Sequence, residues 1–325
     1  MWAHGLYSIM TNINHLIVPL DGSRVSEAVL PLVADLGVKM DLPVTLFRSV
    51  DPATTEEEVH YGVVGGQPVR TDRIARNRSF VGLDGDIQAA KDYLARNQGR
   101  LAVRGIQCDI DVPVGDASLA LQELADKLGA FIVMATHGWS GTDTETVGSV
   151  ASRVLEYSKS PVILTRPILS RSRGSALYGI RQVVVGLDGT KQAEAAIPAA
   201  TEMAKALGAE LIYLRSSGAG HRFSSPDGIE QAEQECREYL TAAMRRASLA
   251  GIEVRGEGLS GKPAADLVEF ATNNPGTLFA LTRPQRAIRS RVVLGSVTDA
   301  VVRSGVCPVL LTPVEDKVAR VKEVA

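Results

Sequence analysis

The sequence predicts an α/β protein made of two tandem doubly wound domains, each a five-stranded parallel sheet with helices on both faces. Three observations predict it. Short apolar runs alternate with segments of helical periodicity, the order that gives a parallel sheet with crossover helices. The pattern occurs twice in 325 residues, a length comfortable for two domains. The two copies also keep register: Asp21 and Asp188, Pro31 and Pro198, and Arg48 and Arg215 each stand 167 residues apart. This is a duplication at domain scale, not a short solenoid repeat.

Copy one opens with the apolar run at 16–20, closed by Asp21, Gly22 and Ser23. Ala28, Leu32 and Leu36 follow at near-helical spacing, then a strand at 44–47. Copy two repeats this with a strand at 183–187, the turn Asp188, Gly189, Thr190, a helix through Ala195, Ala199 and Met203, and a strand at 211–214. Residues 51–85 are an insertion in copy one, with an acidic run at 56–58, glycines (Gly62, Gly65, Gly66) and arginines (Arg70, Arg73, Arg76, Arg78). A segment this long reads as a surface loop or as a lid whose arginines reach phosphate. The copies rejoin at Tyr93 and Tyr239, Gly105 and Gly251, and Gly115 and Gly261, now 146 apart, so copy one is about 21 residues longer in its middle. Strands at 132–134 and 278–280, then 161–165 and 308–312, complete each copy. The organisation is an extension at 1–12, a first domain at 13–167, a linker at 168–179, a second domain at 180–314 and a tail at 315–325.

A formal charge of −2, with 45% apolar and 22% charged residues, describes a globular chain with no electrostatic drive toward nucleic acid or anionic membrane. No apolar run reaches the length of a membrane span. No basic residue precedes the apolar positions near Met1, as a signal peptide requires. The three cysteines (Cys108, Cys236, Cys307) are odd in number and lack metal-ligand spacing, which points to a reducing compartment. The expectation is a cytoplasmic protein.

The chemistry concentrates between an apolar run at 131–135 and a helix-like segment at 150–157. Gly138, Gly141 and Gly148 lie between them, and Ser149 and Val150 open the helix. Such glycines let backbone approach a phosphate, and a helix amino terminus attracts the anion. Asp21 and this loop both follow the carboxyl ends of strands. With the first and fourth strands adjacent, they face one crevice. Copy two keeps Asp188 and Gly295-Ser296, but a basic run at 283–291 replaces the paired glycines. There Pro284 lacks an N–H and Ile288 resists positive φ. Arg283, Arg286, Arg289 and Arg291 read as side-chain replacements for a lost backbone cradle, as a solvated basic loop, or as partners for Asp143 and Glu145 across the domains.

Together these residues resemble the universal stress protein family in its tandem form, over about 14–313. The resemblance is carried by Gly138-Trp139-Ser140-Gly141, a six-residue spacer, Gly148-Ser149, and Asp21 at the end of the first strand. It implies ATP binding. Asp21 would meet the adenine or ribose, Pro19 and Leu20 would wall that pocket, and Met134 would pack on the base. Gly138 and Gly141 would offer N–H groups to the phosphates, and Gly148, Ser149 and Val150 would hold them at the helix end. His137, beside Gly138, reads as orienting the loop, as contacting phosphate or as acting as an acid. Asp188, Arg283, Arg286, Gly295 and Ser296 would form a degenerate second site. The resemblance also implies that the last strands of the two domains pair, giving an intramolecular pseudo-dimer. The spacer departs from the family pattern, because Asp143 and Glu145 place negative charge near the phosphates. They read as two solvated acids, or as oxygen ligands for Mg2+ or Mn2+ accompanying ATP.

No P-loop lysine motif and no Gly-x-Ser-x-Gly elbow occurs. The reading is therefore an ATP-binding regulatory or stress-response protein and not a dedicated enzyme. Slow metal-dependent ATP turnover and a scaffold without nucleotide are the alternatives. Its expected partners are an adenine nucleotide and a regulatory protein, with homodimerisation open and no role for nucleic acid or membrane.

Overall fold

Strand β1 (His15–Pro19) sits inside the first domain's sheet, as expected of a run whose Leu16, Ile17 and Val18 have no exposed surface. The structure, a computed structural model, describes residues 14–51, 61–64, 67–70, 80–136, 147–166, 179–222, 225–285 and 294–315. After β1 come α1 (Arg24–Glu27), α2 (Leu30–Met40) and β2 (Val44–Phe47). The sequence predicts one helix where α1 and α2 stand. The break falls just before Pro31, which occupies the first turn of α2, where a missing N–H is harmless. Pro198 does the same in the second domain.

The insertion contains a hairpin, β3 (Tyr61–Val64) with β4 (Gln67–Arg70), paired antiparallel with Val64 opposite Gln67. The first domain continues through α3 (Phe80–Ala102), β5 (Cys108–Asp111), α4 (Ala117–Leu128), β6 (Ala130–Ala135), α5 (Ser149–Tyr157) and β7 (Val162–Thr165). The second domain is β8 (Gln182–Gly186), α6 (Lys191–Glu194), α7 (Ile197–Leu207), β9 (Glu210–Ser216), α8 (Ala219–Arg222), α9 (Pro226–Leu249), β10 (Arg255–Leu259), α10 (Pro263–Asn273), β11 (Thr277–Gln285), α11 (Ser296–Ser304) and β12 (Val309–Glu315).

Among the described residues, ten strands form one sheet in the order β10-β9-β8-β11-β12-β7-β6-β1-β2-β5. Within this sheet, the pairs formed inside each domain are parallel. The domains join where β12 and β7 run antiparallel, with Leu310 opposite Ile163. This pairing covers what would otherwise be an apolar edge of each sheet. Side chains alternate across the sheet, so Leu16 and Val18 join one core and Ile17 the other. Each core runs through both domains.

Strand β1 has β2 on one side and β6 on the other. The chain reverses direction of build there, and ligands of such sheets bind above that switch point. Among the described residues, no helix is long and apolar enough to cross a membrane.

Candidate functional site

The first wall of the site is the turn that leaves β1. Leu20 N–H still reaches the neighbouring strand, donating to the Phe47 carbonyl at 2.9 Å. Asp21 Oδ1 then accepts from Ser23 N–H at 2.9 Å, folding the chain back through Gly22, whose φ of 94° suits glycine. Ser23 caps α1 by accepting from Ser26 N–H at 3.0 Å. Asp21 is thus fixed by its own turn and left partly exposed at the carboxyl end of β1.

The second wall is the amino end of α5. The chain departs from β6 at Thr136 and returns at Gly148, whose N–H donates to the Thr136 carbonyl at 2.8 Å. Gly148 is the N-cap of α5 and brings no side-chain acceptor to it. The first N–H groups of a helix have no intrahelical partner, so here they face the site without a side-chain cap.

The third wall comes from the end of β2 and the turn before α4. Gly115 takes φ of 127°, and its N–H donates to the Val50 carbonyl at 3.0 Å. The Ser49 hydroxyl donates to the Gly115 carbonyl. Asp116 caps α4, accepting from the N–H groups of Ser118 at 2.9 Å and Leu119 at 3.1 Å and from the Ser118 hydroxyl at 2.5 Å. The Ser118 hydroxyl, then the Leu119 N–H, hold its carboxyl below the ordinary carboxylate value. The Arg48 guanidinium stacks 5.0 Å from the Tyr93 ring centre and also borders the site.

These walls enclose a cleft of about 760 Å³. Pro19, Leu20, Asp21, Met134, Gly148, Ser149 and Val150, all named from the sequence, line it together. His137, Gly138 and Gly141 lie outside the described residues, as do Asp143 and Glu145. Sequence reasoning missed Arg48, Ser49, Asp51, Gly115, Asp116 and Arg153, which also line the cleft. A signal existed for two of them, because Arg48 and Gly115 both belong to the internal repeat.

Copy two keeps the two ends of this arrangement and rebuilds what lies between. Asp188 accepts from Thr190 N–H at 2.8 Å, with Gly189 at φ 91°. Gly295 caps α11 without a side chain, and Ser296 opens that helix. Where copy one has Pro19 and Ala135, copy two has Gly186 and Leu281, and the Leu281 side chain leaves no room for a Cβ on Gly186. The Arg215 guanidinium lies 3.1 Å from where a Cβ on Gly189 would be and stacks 4.5 Å from the Tyr239 ring centre. Asp266 accepts from the Ser216 hydroxyl at 2.6 Å and packs against Gly261.

Arg283 does not join the second site as the sequence reading expects. It is fully buried between the domains, and its guanidinium donates to carbonyls at the carboxyl end of α5. The reason is that β11 runs to Gln285, so Arg283 is a strand residue paired with Pro313 of β12, and its side chain reaches into the first domain. Arg286 lies outside the described residues.

Comparison with known proteins agrees with this architecture. The model of the universal stress protein family matches residues 12–166 and again 179–313. The universal stress protein MJ0531 of Methanocaldococcus jannaschii is 29% identical over 149 residues, covering 42% of this chain and 84% of that protein. The crystal structure of a universal stress protein from Archaeoglobus fulgidus superposes with a TM-score of 0.66 at 20% identity, covering 92% of this chain and 98% of that one. A functionally unknown protein of Pseudomonas aeruginosa, PA1789, gives 0.59 at 13% identity, with 97% and 98% covered. The two structures support the fold, and the double match along the sequence decides the lineage: this chain belongs to the universal stress protein family.

Proposed function

We propose that the first domain's cleft binds an adenine nucleotide, with ATP the first candidate, and that the chain acts as a nucleotide-dependent regulatory protein of the stress response. One observation carries the reading. A carboxylate held by its own turn, Asp21, and a helix end without a side-chain cap, Gly148-Ser149, open on the same cleft. The first is an acceptor for sugar hydroxyls or the base. The second attracts phosphate through its unpaired N–H groups and the helix dipole. The volume suits a mononucleotide, within the roughly 300–1,000 Å³ usual for small-ligand pockets.

In this reading Pro19, Leu20 and Met134 take the base, and Ser149 and Val150 take the phosphates. By their place in the sequence, Gly138 and Gly141 supply further N–H groups. Arg153, paired with Asp116, lies on the same rim. Titration calorimetry with ATP tests the reading, followed by a product assay with Mg2+ or Mn2+. Binding without turnover supports a regulatory protein. Turnover would make it a slow ATPase, and no binding would leave an interaction scaffold.

A further inference from the structure

Arg283 has no exposed surface. Its guanidinium donates to the carbonyls of Leu155, of Ser158 at 2.5 Å and of Ser160 at 3.2 Å, all in the other domain. These carbonyls belong to the last turn of α5 and the residues just beyond it. Loss of water draws the Arg283 pKa down to about 10, so it still carries its charge at neutral pH. The carboxyl end of a helix has unpaired carbonyls and partial negative charge, and a cation there is favourable. Arg283 is therefore a helix cap delivered from one domain to the other.

The first domain returns the contact less firmly. Arg166, just past β7, donates to the Arg303 carbonyl in the last turn of α11 at 2.6 Å and lies against Gly305. It is partly buried, whereas Arg283 is enclosed. The two arginines are not equivalent in the repeat. Arg283 stands 146 residues after His137, the position that opens the glycine loop in copy one. Copy two uses that position to hold α5.

Helix α5 has nine residues and so is roughly 13 Å long. Its amino end lines the cleft, its carboxyl end is held by Arg283, and it packs on β11 of the second domain. A helix this short moves as a unit, so fixing one end sets the aim of the N–H groups at the other. We propose that Arg283 is a positioning residue for the first domain's cleft, through which the second domain holds the helix that meets the phosphates. The proposal rests on the nucleotide reading of that cleft.

The test compares the full-length wild type with Arg283→Met and Arg283→Lys, using ATP and adenosine as probes in calorimetry. Arg283→Met is expected to weaken ATP by about tenfold and adenosine by less than about twofold, because only ATP uses the helix end. Arg283→Lys should recover part of the loss. A folded Arg283→Met with the wild-type ratio of ATP to adenosine affinity would overturn the proposal. An equal loss for both ligands would also overturn it, since that is what a purely structural role gives. Should Arg283→Met not fold, hydrogen exchange of the wild type decides. ATP should slow exchange of the Ser158 N–H, which donates to the Val154 carbonyl at 2.9 Å, as well as the first turn of α5. Protection confined to the first turn would overturn the proposal. A wild type that binds neither probe refutes the nucleotide reading itself and this role with it. Binding of ATP with an unmoved ratio refutes the positioning role alone.

Discussion

Arg153 donates to Asp116 at 2.6 Å and so ties the amino-terminal cap of α4 to α5 at the rim of the cleft. The pair is solvated, with side chains 59% and 37% exposed, so its direct Coulombic contribution is about 0–1 kcal/mol. The cap on α4 is the larger effect. Asp116→Ala should destabilise the chain by about 1 kcal/mol, and Arg153→Ala by less. The sign with pH follows from the lowered Asp116 pKa. Its contribution is present above the ordinary value of 3.8 and is lost as pH falls through the lower folded value. Urea unfolding at pH 7 and in acid should show the difference between wild type and Asp116→Ala shrinking. A difference that persists in acid would contradict the assignment.

His15 gives a second pH effect at higher pH. Its Nε2 lies 2.6 Å from the Thr45 hydroxyl, and Thr45 is buried. Burial lowers its pKa below 6.5, with Asp109 opposing the shift. The unfolded chain therefore takes up a proton near 6.5 that the folded chain accepts only at lower pH. Stability should fall as pH drops below that value. Urea midpoints at neutral and mildly acidic pH should fall further for the wild type than for His15→Gln. Equal losses would show that His15 is not the group responsible.

Gly186 and Leu281 are complementary, because the leucine fills the space a side chain at 186 would need. Gly186→Ala should destabilise by about 1–3 kcal/mol through overpacking, and Leu281→Ala by about 2–5 kcal/mol through a cavity. The double variant should lose clearly less than the sum of the two, since each relieves the other. Additive losses in thermal or urea unfolding would show that the two sites are independent.

The parts of the fold legible in the sequence are those fixed by local rules. β1, β6 and β8 are buried on both faces, so they appear as unbroken apolar runs. The Asp21 turn and the Gly148 helix end follow directly from such strands. Arg283 was not legible. An arginine opening a basic run looks solvated, and its burial depends on the pairing of β7 with β12, which no local pattern states. Asp116 was hidden for a different reason. Its counterpart in the repeat is Lys262, which caps α10 without a side-chain bond, so comparing copies gave no cue.

We propose a single nucleotide site, in the first domain, built on Asp21 and the amino end of α5. Native mass measurement of the purified chain with ATP tests it most directly. One ATP per chain is expected, lost in Asp21→Ala and retained in Asp188→Ala. No ATP on the wild type, two per chain, or full occupancy in Asp21→Ala would contradict it.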